Sequence, residues 1–190
     1  MYRIMPALFL GLSAASASTA ADPHQLDKTH ADLLFSISHA GFTEKHGFFC
    51  DLDATLQYDV EHPEKSQVAV TVKMDSIDTG SAQRDSELRS DKFFEVAKYP
   101  EMRFVSTKVT PGPKDSLRIE GDLTLHGVTK PFTLHARLNK SAANPFDKKP
   151  TLGFSASGSL KRTDFGISTY VPIIGDVVAI TIDAEFNRKS

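Results

Sequence analysis

Seven histidines are the side chains in this sequence most able to hold a metal ion or move a proton. A zinc site that can be recognised from sequence usually has two histidines in one short motif, such as H-E-x-x-H. No such motif occurs, because the histidines fall on separate segments: His24, His30, His39, His46, His62, His126 and His135. We interpret them as surface or hydrogen-bonded side chains and predict no metal site and no cofactor. Convergence of several histidines in the fold stays open at this point.

Two short motifs and one cysteine are similar to catalytic elements without meeting their requirements. Gly153–Gly158 approaches the nucleophile elbow G-x-S-x-G, yet the spacing fails and the segment alternates like a strand. Asp164–Gly166 matches the kinase metal-binding triplet, but no H-R-D segment or Gly-rich loop accompanies it. Cys50, the single cysteine, is expected beside Phe48 on an inner strand face, as a small buried hydrophobe. We predict no catalytic residues. The enzymatic alternative is a lipid hydrolase or isomerase that uses His39 with a nearby acid.

The N-terminal residues predict export. Residues 1–21 combine Arg3, an apolar run over Ile4–Leu12 and a small-residue tail, which is the pattern of a cleaved signal peptide. Removing them leaves 21 basic and 24 acidic side chains over residues 22–190, a net charge of −3 and the length of one domain. This charge gives no electrostatic reason to bind nucleic acid. No later segment has 18 consecutive apolar residues, so we predict that the mature chain does not span a membrane.

The rest of the chain mostly alternates apolar and polar residues with a period of two, which is typical of half-buried β-strands. We count eight such runs, and the short turns between them favour successive antiparallel strands. Eight long strands form either a sandwich or a closed barrel. The predicted inner faces also carry small residues, namely Gly121, Ala136, Ala156, Gly158 and Ala184. These small residues either leave a cavity open or relieve crowding where strands bend.

One stretch, Ser76–Phe104, interrupts the alternation. Ser90 is well placed to cap a short helix over Asp91–Ala97, whose apolar side chains would pack on one end of the sheet. We expect this insert to act as a lid that shelters the interior. Arg84 and Asp85 are either an ion pair that anchors the lid or simply exposed charges, and we favour the anchoring role.

Blocks of residues along the chain resemble the YceI-like family. They include His39–Phe42, Gly47–Phe49, Ser76–Gly80, Arg84-Asp85, Phe93-Phe94, Lys98–Pro100, Leu123–Lys130 and Arg162–Gly166. The resemblance runs from about residue 24 to residue 186. It implies a lipocalin-like antiparallel barrel with a helical insert, a long isoprenoid or other lipid-like chain in the lumen, a periplasmic location and no catalytic chemistry. Glu87 stands where the family often has His, and we hypothesise that it makes the site less favourable for a phosphate head group.

The resemblance and the alternation together predict an all-β, eight-stranded up-and-down barrel and the residues that line its lumen. The predicted apolar lining is Phe35, Ile37, Leu52, Leu56, Val70, Phe104, Leu123, Leu134, Phe154, Ile180 and Ile182. The predicted lid residues are Arg84, Asp85, Leu88, Phe93 and Phe94. The first hypothesis is a periplasmic carrier of one long apolar molecule. The alternatives are the lipid enzyme described above and a stress-response structural protein without a small ligand. The sequence carries no signal for the oligomeric state.

Overall fold

The structure, a computed structural model, describes residues 22–189 as ten strand segments, one α-helix and three short 3-10 turns. In chain order the strands and the helix are β1 (Asp22–His39), β2 (Thr43–Phe49), β3 (Leu52–Tyr58), β4 (Gln67–Lys73), β5 (Ile77–Asp78), α1 (Ala82–Arg89), β6 (Glu101–Pro111), β7 (Ser116–Leu125), β8 (Val128–Ala143), β9 (Pro150–Lys161) and β10 (Ile174–Arg188). The predicted signal peptide lies outside the described residues.

The strand segments close into a barrel. Each barrel strand is antiparallel to the next along the chain, and β10 returns to pair with β1. β2 and β3 are two halves of one barrel strand beside β1, and β4 and β5 are two halves of the next. Counted in this way, eight strands surround the interior. The prediction of an all-β, eight-stranded antiparallel up-and-down barrel with a short helical insert is confirmed.

The break between β2 and β3 shifts the alternation by one residue. Phe49 is buried in the interior, whereas Phe48 is 45% exposed and Cys50 is also exposed. At this level the Cys50 amide bonds to the Ser76 carbonyl at 3.1 Å, within the irregular link between β4 and β5. The prediction that Phe48 and Cys50 face inward was therefore wrong. The predicted alternation was continued across Phe49, whereas the backbone breaks between β2 and β3.

The insert between β5 and β6 contains a helix, but at a different place from the one predicted. Helix α1 covers Ala82–Arg89, and Ser90 ends it, because the Ser90 amide and hydroxyl both donate to the Glu87 carbonyl. The segment 91–97, predicted as the helix, forms irregular turns instead. Serine is suited to either end of a helix, because its hydroxyl bonds readily to nearby backbone groups. We call residues 80–97 the lid insert from here on.

Candidate functional site

The barrel contains a cavity of about 410 Å³ at the end that the lid insert covers. Its wall is made mostly of apolar side chains from β1, β2, β6, β7, β9, β10, the lid insert and the links between strands: Leu33, Phe35, Ile37, Phe49, Met74, Leu88, Phe93, Phe94, Met102, Leu125, Leu160, Ile167, Ile174, Val178 and Ile180. Cavities that bind small molecules typically have a volume of about 300–1,000 Å³ and a mostly apolar lining. This space, which we call the upper compartment, therefore has the size and surface of an apolar ligand site.

Polar side chains also line the upper compartment, and all of them except the buried Arg162 are partly or fully exposed to solvent: His39, Lys45, His46, Thr79, Arg84, Glu87, Arg162 and Tyr170. The Tyr170 hydroxyl donates to the Glu87 carboxylate at 3.1 Å, and the Thr169 hydroxyl donates to the Lys92 carbonyl. These contacts join the lid insert to the loop between β9 and β10. Hydrogen bonds thus hold together two segments beside the cavity that are far apart in sequence.

Arg84 and Asp85 anchor the lid insert through Thr79. The buried Asp85 carboxylate accepts hydrogen bonds from the Thr79 amide (2.9 Å) and hydroxyl (2.5 Å). Arg84 donates to the Thr79 hydroxyl oxygen (2.8 Å) and carbonyl (2.9 Å). Arg84 and Asp85 do not form the expected ion pair with each other. Instead, both side chains bond to Thr79, the residue that precedes the insert. Within residues 22–189, no ion pair joins the two side chains directly.

Removing the shared hydroxyl should loosen the lid insert. Thr79→Val keeps the shape of the side chain but deprives both Asp85 and Arg84 of a partner, so we expect the free energy of unfolding to fall by about 1–3 kcal/mol. Urea denaturation measures that loss, and limited proteolysis within residues 80–97 reports local opening. Thr79→Ser retains the hydroxyl and serves as the control. Equal stability and equal cleavage of the two variants would contradict this anchoring role.

Arg162 contributes a buried cation to the wall of the upper compartment. Its guanidinium donates to four backbone carbonyls, those of Ile167 (3.2 Å), Thr169 (2.8 Å), Ile174 (3.0 Å) and Gly175 (2.8 Å). Burial lowers the pKa of Arg162, and the nearby Asp176 carboxylate opposes that shift. The side chain thereby fixes the course of the β9–β10 loop at the mouth. Sequence reasoning missed this role, although Arg162 opens a block that resembles the YceI-like family.

A second, smaller space of about 100 Å³ lies further along the barrel, and we call it the lower compartment. The predicted lining residues divide between the two spaces. The upper compartment contains Phe35, Ile37 and Ile180, and the lower one contains Leu52, Leu56, Val70, Leu134, Phe154 and Ile182. Phe104 and Leu123 are buried at 5% and 3% exposure but line neither space. All eleven side chains lie inside the barrel, and their contact with a ligand stays a prediction.

The predicted lid residues also fall into two groups. Arg84, Leu88, Phe93 and Phe94 line the upper compartment, whereas Asp85 lies outside its lining and holds Thr79. Phe49 and Met74 were missed as lining residues. Phe49 was missed because the alternation shifts by one residue there. Met74 ends the alternating run that begins at Val68 and is buried as that run indicates, but it was not included in the predicted lining.

One group of potential metal ligands comes together on the outside of the barrel. Ligand atoms of Asp27, His30 and Glu185 lie within 4.8 Å of one another. His30 already contacts the Asp27 carboxylate at 3.1 Å, and this contact raises the pKa of His30. The hydroxyl of Thr29 is the main cause that lowers the pKa of Asp27 to about 2. The group is satisfied as an exposed ion pair, and none of its three members lines either compartment.

The candidate catalytic histidine has no acidic partner in the structure. His39 is exposed and lines the mouth, and within residues 22–189 no carboxylate bonds to its ring. Within residues 22–189, no helix is long and apolar enough to cross a membrane.

Comparisons with solved structures agree with this architecture. A YceI protein of Campylobacter jejuni is 32% identical, with a TM-score of 0.74 over 80% of this chain and 90% of that one. BcnA of Burkholderia cenocepacia has a TM-score of 0.77 over 84% of this chain and 98% of its own, and at 20% identity it supports the fold alone. A domain of Saccharophagus degradans described as polyisoprenoid-binding has a TM-score of 0.66 and 16% identity, covering 87% and 98% of the two chains.

Sequence comparisons establish the family. Protein YceI of Escherichia coli O157:H7 is 40% identical over 179 residues, and the alignment covers 93% of both chains. Protein YceI of Salmonella agona is 39% identical over the same length and coverage. The YceI-like domain family matches residues 24–186, which include all eight barrel strands and the lid insert. The chain therefore belongs to the YceI-like domain family.

Proposed function

We propose that this protein is an exported, periplasmic binding protein that holds one isoprenoid or other lipid-like chain in its upper compartment, without chemical conversion. The observation that carries the proposal is the distribution of polarity in that cavity. Apolar side chains form most of its wall, and the polar side chains that line it, Arg162 apart, are partly or fully exposed to solvent. A lipid with an apolar chain and a polar head has the same division.

The size of the upper compartment is adequate for a useful affinity. An apolar cavity of about 150 Å³ holds benzene, so about 25 Å³ per carbon gives room for about 16 carbons in 410 Å³. Burial of about 16 methylene groups contributes about 13 kcal/mol at 0.8 kcal/mol each, against an association cost of about 4–15 kcal/mol. The contribution of about 16 carbons lies near the upper end of this range, whereas a chain of about five carbons contributes about 4 kcal/mol and reaches only its lower end.

Apolar side chains beside the mouth offer a route for a lipid. Phe42 is 87% exposed in the turn between β1 and β2, and Ile173 is 67% exposed while also lining the cavity. The Ala40 amide bonds to the Ile173 carbonyl at 2.8 Å, which places the turn next to the opening. The polyisoprenoid-binding description of the Saccharophagus degradans domain supports the same ligand class for a barrel of this fold.

Mass spectrometry of the bound lipid tests the proposal. The full chain is produced in a bacterial host, recovered from the periplasmic fraction and extracted with organic solvent. We expect about one lipid with a long apolar chain per protein. A lipid-free extract, together with delipidated protein that takes up no farnesol, would overturn the carrier function and favour a structural role. Conversion of an added prenyl phosphate by pure protein would instead support an enzyme.

A further inference from the structure

The upper compartment opens to solvent beside the β1–β2 turn and the β9–β10 loop. Side chains that both line the cavity and are exposed mark this opening, and they include His39 at the end of β1 and Tyr170 and Ile173 in the loop. The Ala40 amide donates to the Ile173 carbonyl at 2.8 Å, which joins the turn to the loop. The two segments therefore form one side of the opening.

Three large apolar or aromatic side chains project from these two joined segments. Phe42 is 87% exposed, Ile173 is 67% exposed and Tyr170 is 52% exposed. The Phe42 amide donates to the His39 carbonyl at 3.0 Å, so a hydrogen-bonded turn presents the ring to solvent. Exposed apolar side chains that are grouped in this way are typical of sites that bind another protein or a membrane. We call Phe42, Tyr170 and Ile173 the apolar tip.

The apolar tip is too small for a stable contact between two proteins. At about 200 Å² for a large side chain, the exposed fractions of its three members amount to about 400 Å². A standard protein interface buries about 800 Å² on each partner. A lipid bilayer needs no complementary surface, because a few apolar side chains can enter the boundary between head groups and acyl chains. The area therefore favours a bilayer over a second copy of this chain.

The charges around the apolar tip are balanced, which indicates how the bilayer would be bound. Glu44 is next to Lys45 on β2, and Arg84 lies one helical turn before Glu87 on α1. Residues 22–190 carry a net charge of −3. Attraction to anionic head groups requires a cluster of basic side chains. We therefore expect burial of apolar side chains, and not charge, to provide the contact.

We propose that the apolar tip docks this protein on the surface of a lipid bilayer, with Phe42 and Ile173 inserted at the boundary between head groups and acyl chains. The inference rests on the proposed lipid-binding function and adds the place where the lipid is exchanged. Ile173 belongs both to the tip and to the cavity wall, so an apolar chain can enter the upper compartment from the bilayer without crossing water. Exposure of a long apolar chain to water is unfavourable, which gives this contact a role in loading and release.

Flotation with lipid vesicles tests the docking. Delipidated protein is mixed with neutral vesicles of phosphatidylcholine and phosphatidylethanolamine, and the fraction that floats with them gives a partition coefficient. We expect Phe42→Ser to lower this coefficient by about ten-fold or more, because an exposed ring no longer leaves water on docking. Raising the salt from about 0.1 M to about 0.5 M should change it by less than about two-fold, since salt screens only charged contacts.

A phenylalanine at the other end of the barrel provides the matched control. Phe146 is 94% exposed in the loop between β8 and β9. Successive connections of an up-and-down barrel alternate between its two ends, so this loop lies opposite the β9–β10 loop. Phe146→Ser removes an equally exposed ring and should leave flotation unchanged. Both rings are almost fully exposed, so neither substitution should affect folding, which circular dichroism verifies.

Uptake of a probe lipid separates docking from the proposed binding function. Geranylgeraniol is supplied either in the same vesicles or as a water-soluble cyclodextrin complex, and the bound alcohol is quantified by mass spectrometry. Phe42 does not line the cavity, so Phe42→Ser should take up the alcohol from cyclodextrin as the unaltered protein does. Its uptake from vesicles should be slower by about ten-fold, because fewer molecules are docked at any time.

The outcomes distinguish this inference from the proposed function. Equal flotation of Phe42→Ser and Phe146→Ser overturns the docking, and so does release of the unaltered protein from vesicles at the higher salt. A dimer that becomes monomeric in Phe42→Ser, measured by sedimentation, also overturns it, because a second copy then covers the apolar tip. Flotation without uptake of geranylgeraniol from either donor overturns the carrier function and leaves the docking in place.

Discussion

Replacing Ile180 with glutamate is expected to weaken lipid binding by about 100-fold or more, equivalent to about 2.7 kcal/mol. Ile180 lies on β10 in the wall of the upper compartment and is paired with Phe35 on β1. In the empty cavity a carboxylate at this position stays hydrated, so the barrel still folds. A bound apolar chain would strip that water away and leave a buried charge without a partner, which is costly.

The neighbouring residue provides a matched control. Thr181 is exposed on the outer face of the same strand, so Thr181→Glu adds the same charge without contact with the cavity. We expect wild-type affinity for farnesol in this variant, measured by the same extraction and uptake assays. Similar affinities for Ile180→Glu and the unaltered protein would remove Ile180 from the ligand site.

The largest expected effect on stability comes from Arg162→Met. The substitution keeps an apolar stem of similar length but leaves four backbone carbonyls without their donor. An unsatisfied buried polar group costs about 1–3 kcal/mol, and relaxation of the loop will hydrate some of the four, so we expect a net loss of about 3 kcal/mol. Lysine should not restore stability fully, because one ammonium group cannot reproduce the fork of a guanidinium.

Urea denaturation measures this loss, and hydrogen exchange locates it. Faster exchange is expected for amides between residues 167 and 175, the loop that Arg162 holds. Arg188→Met is the control, because Arg188 is exposed and, among residues 22–189, its side chain bonds to Asp22 alone at the barrel surface. An exposed ion pair contributes about 0–1 kcal/mol. A loss in Arg162→Met no larger than in the control would show that the carbonyl contacts do not hold the loop.

The alternation of apolar and polar residues was sufficient to predict the strands, and the resemblance to the YceI-like family decided between a sandwich and a barrel. A strand that faces a core on one side and water on the other repeats every two residues, and most strands here follow that rule without interruption. The prediction failed at Phe48 and Cys50, because the alternation was carried across Phe49, the residue that interrupts the pattern where the backbone breaks between β2 and β3. A shift of one residue moves side chains to the opposite face of the sheet. Phe49 was therefore missed as part of the cavity wall.

Features that depend on distant parts of the chain could not be predicted from the sequence. The position of helix α1 depends on Ser90, whose local hydrogen bonds suit either helix terminus. Arg162 is recognisable as part of a family block, but its four acceptors become visible only when the β9–β10 loop folds back on it.

Pairing of the first strand with the last has a consequence for how the polypeptide matures. Leu26 is paired with Phe186, so contacts between the most distant parts of the sequence must form before the ring is complete. Non-local contacts of this kind make folding slow. A nascent chain that still lacks β10, which has fifteen residues, has two unpaired strand edges, and these edges are open to association with other chains. Closure of the barrel must therefore wait until β10 has been synthesised.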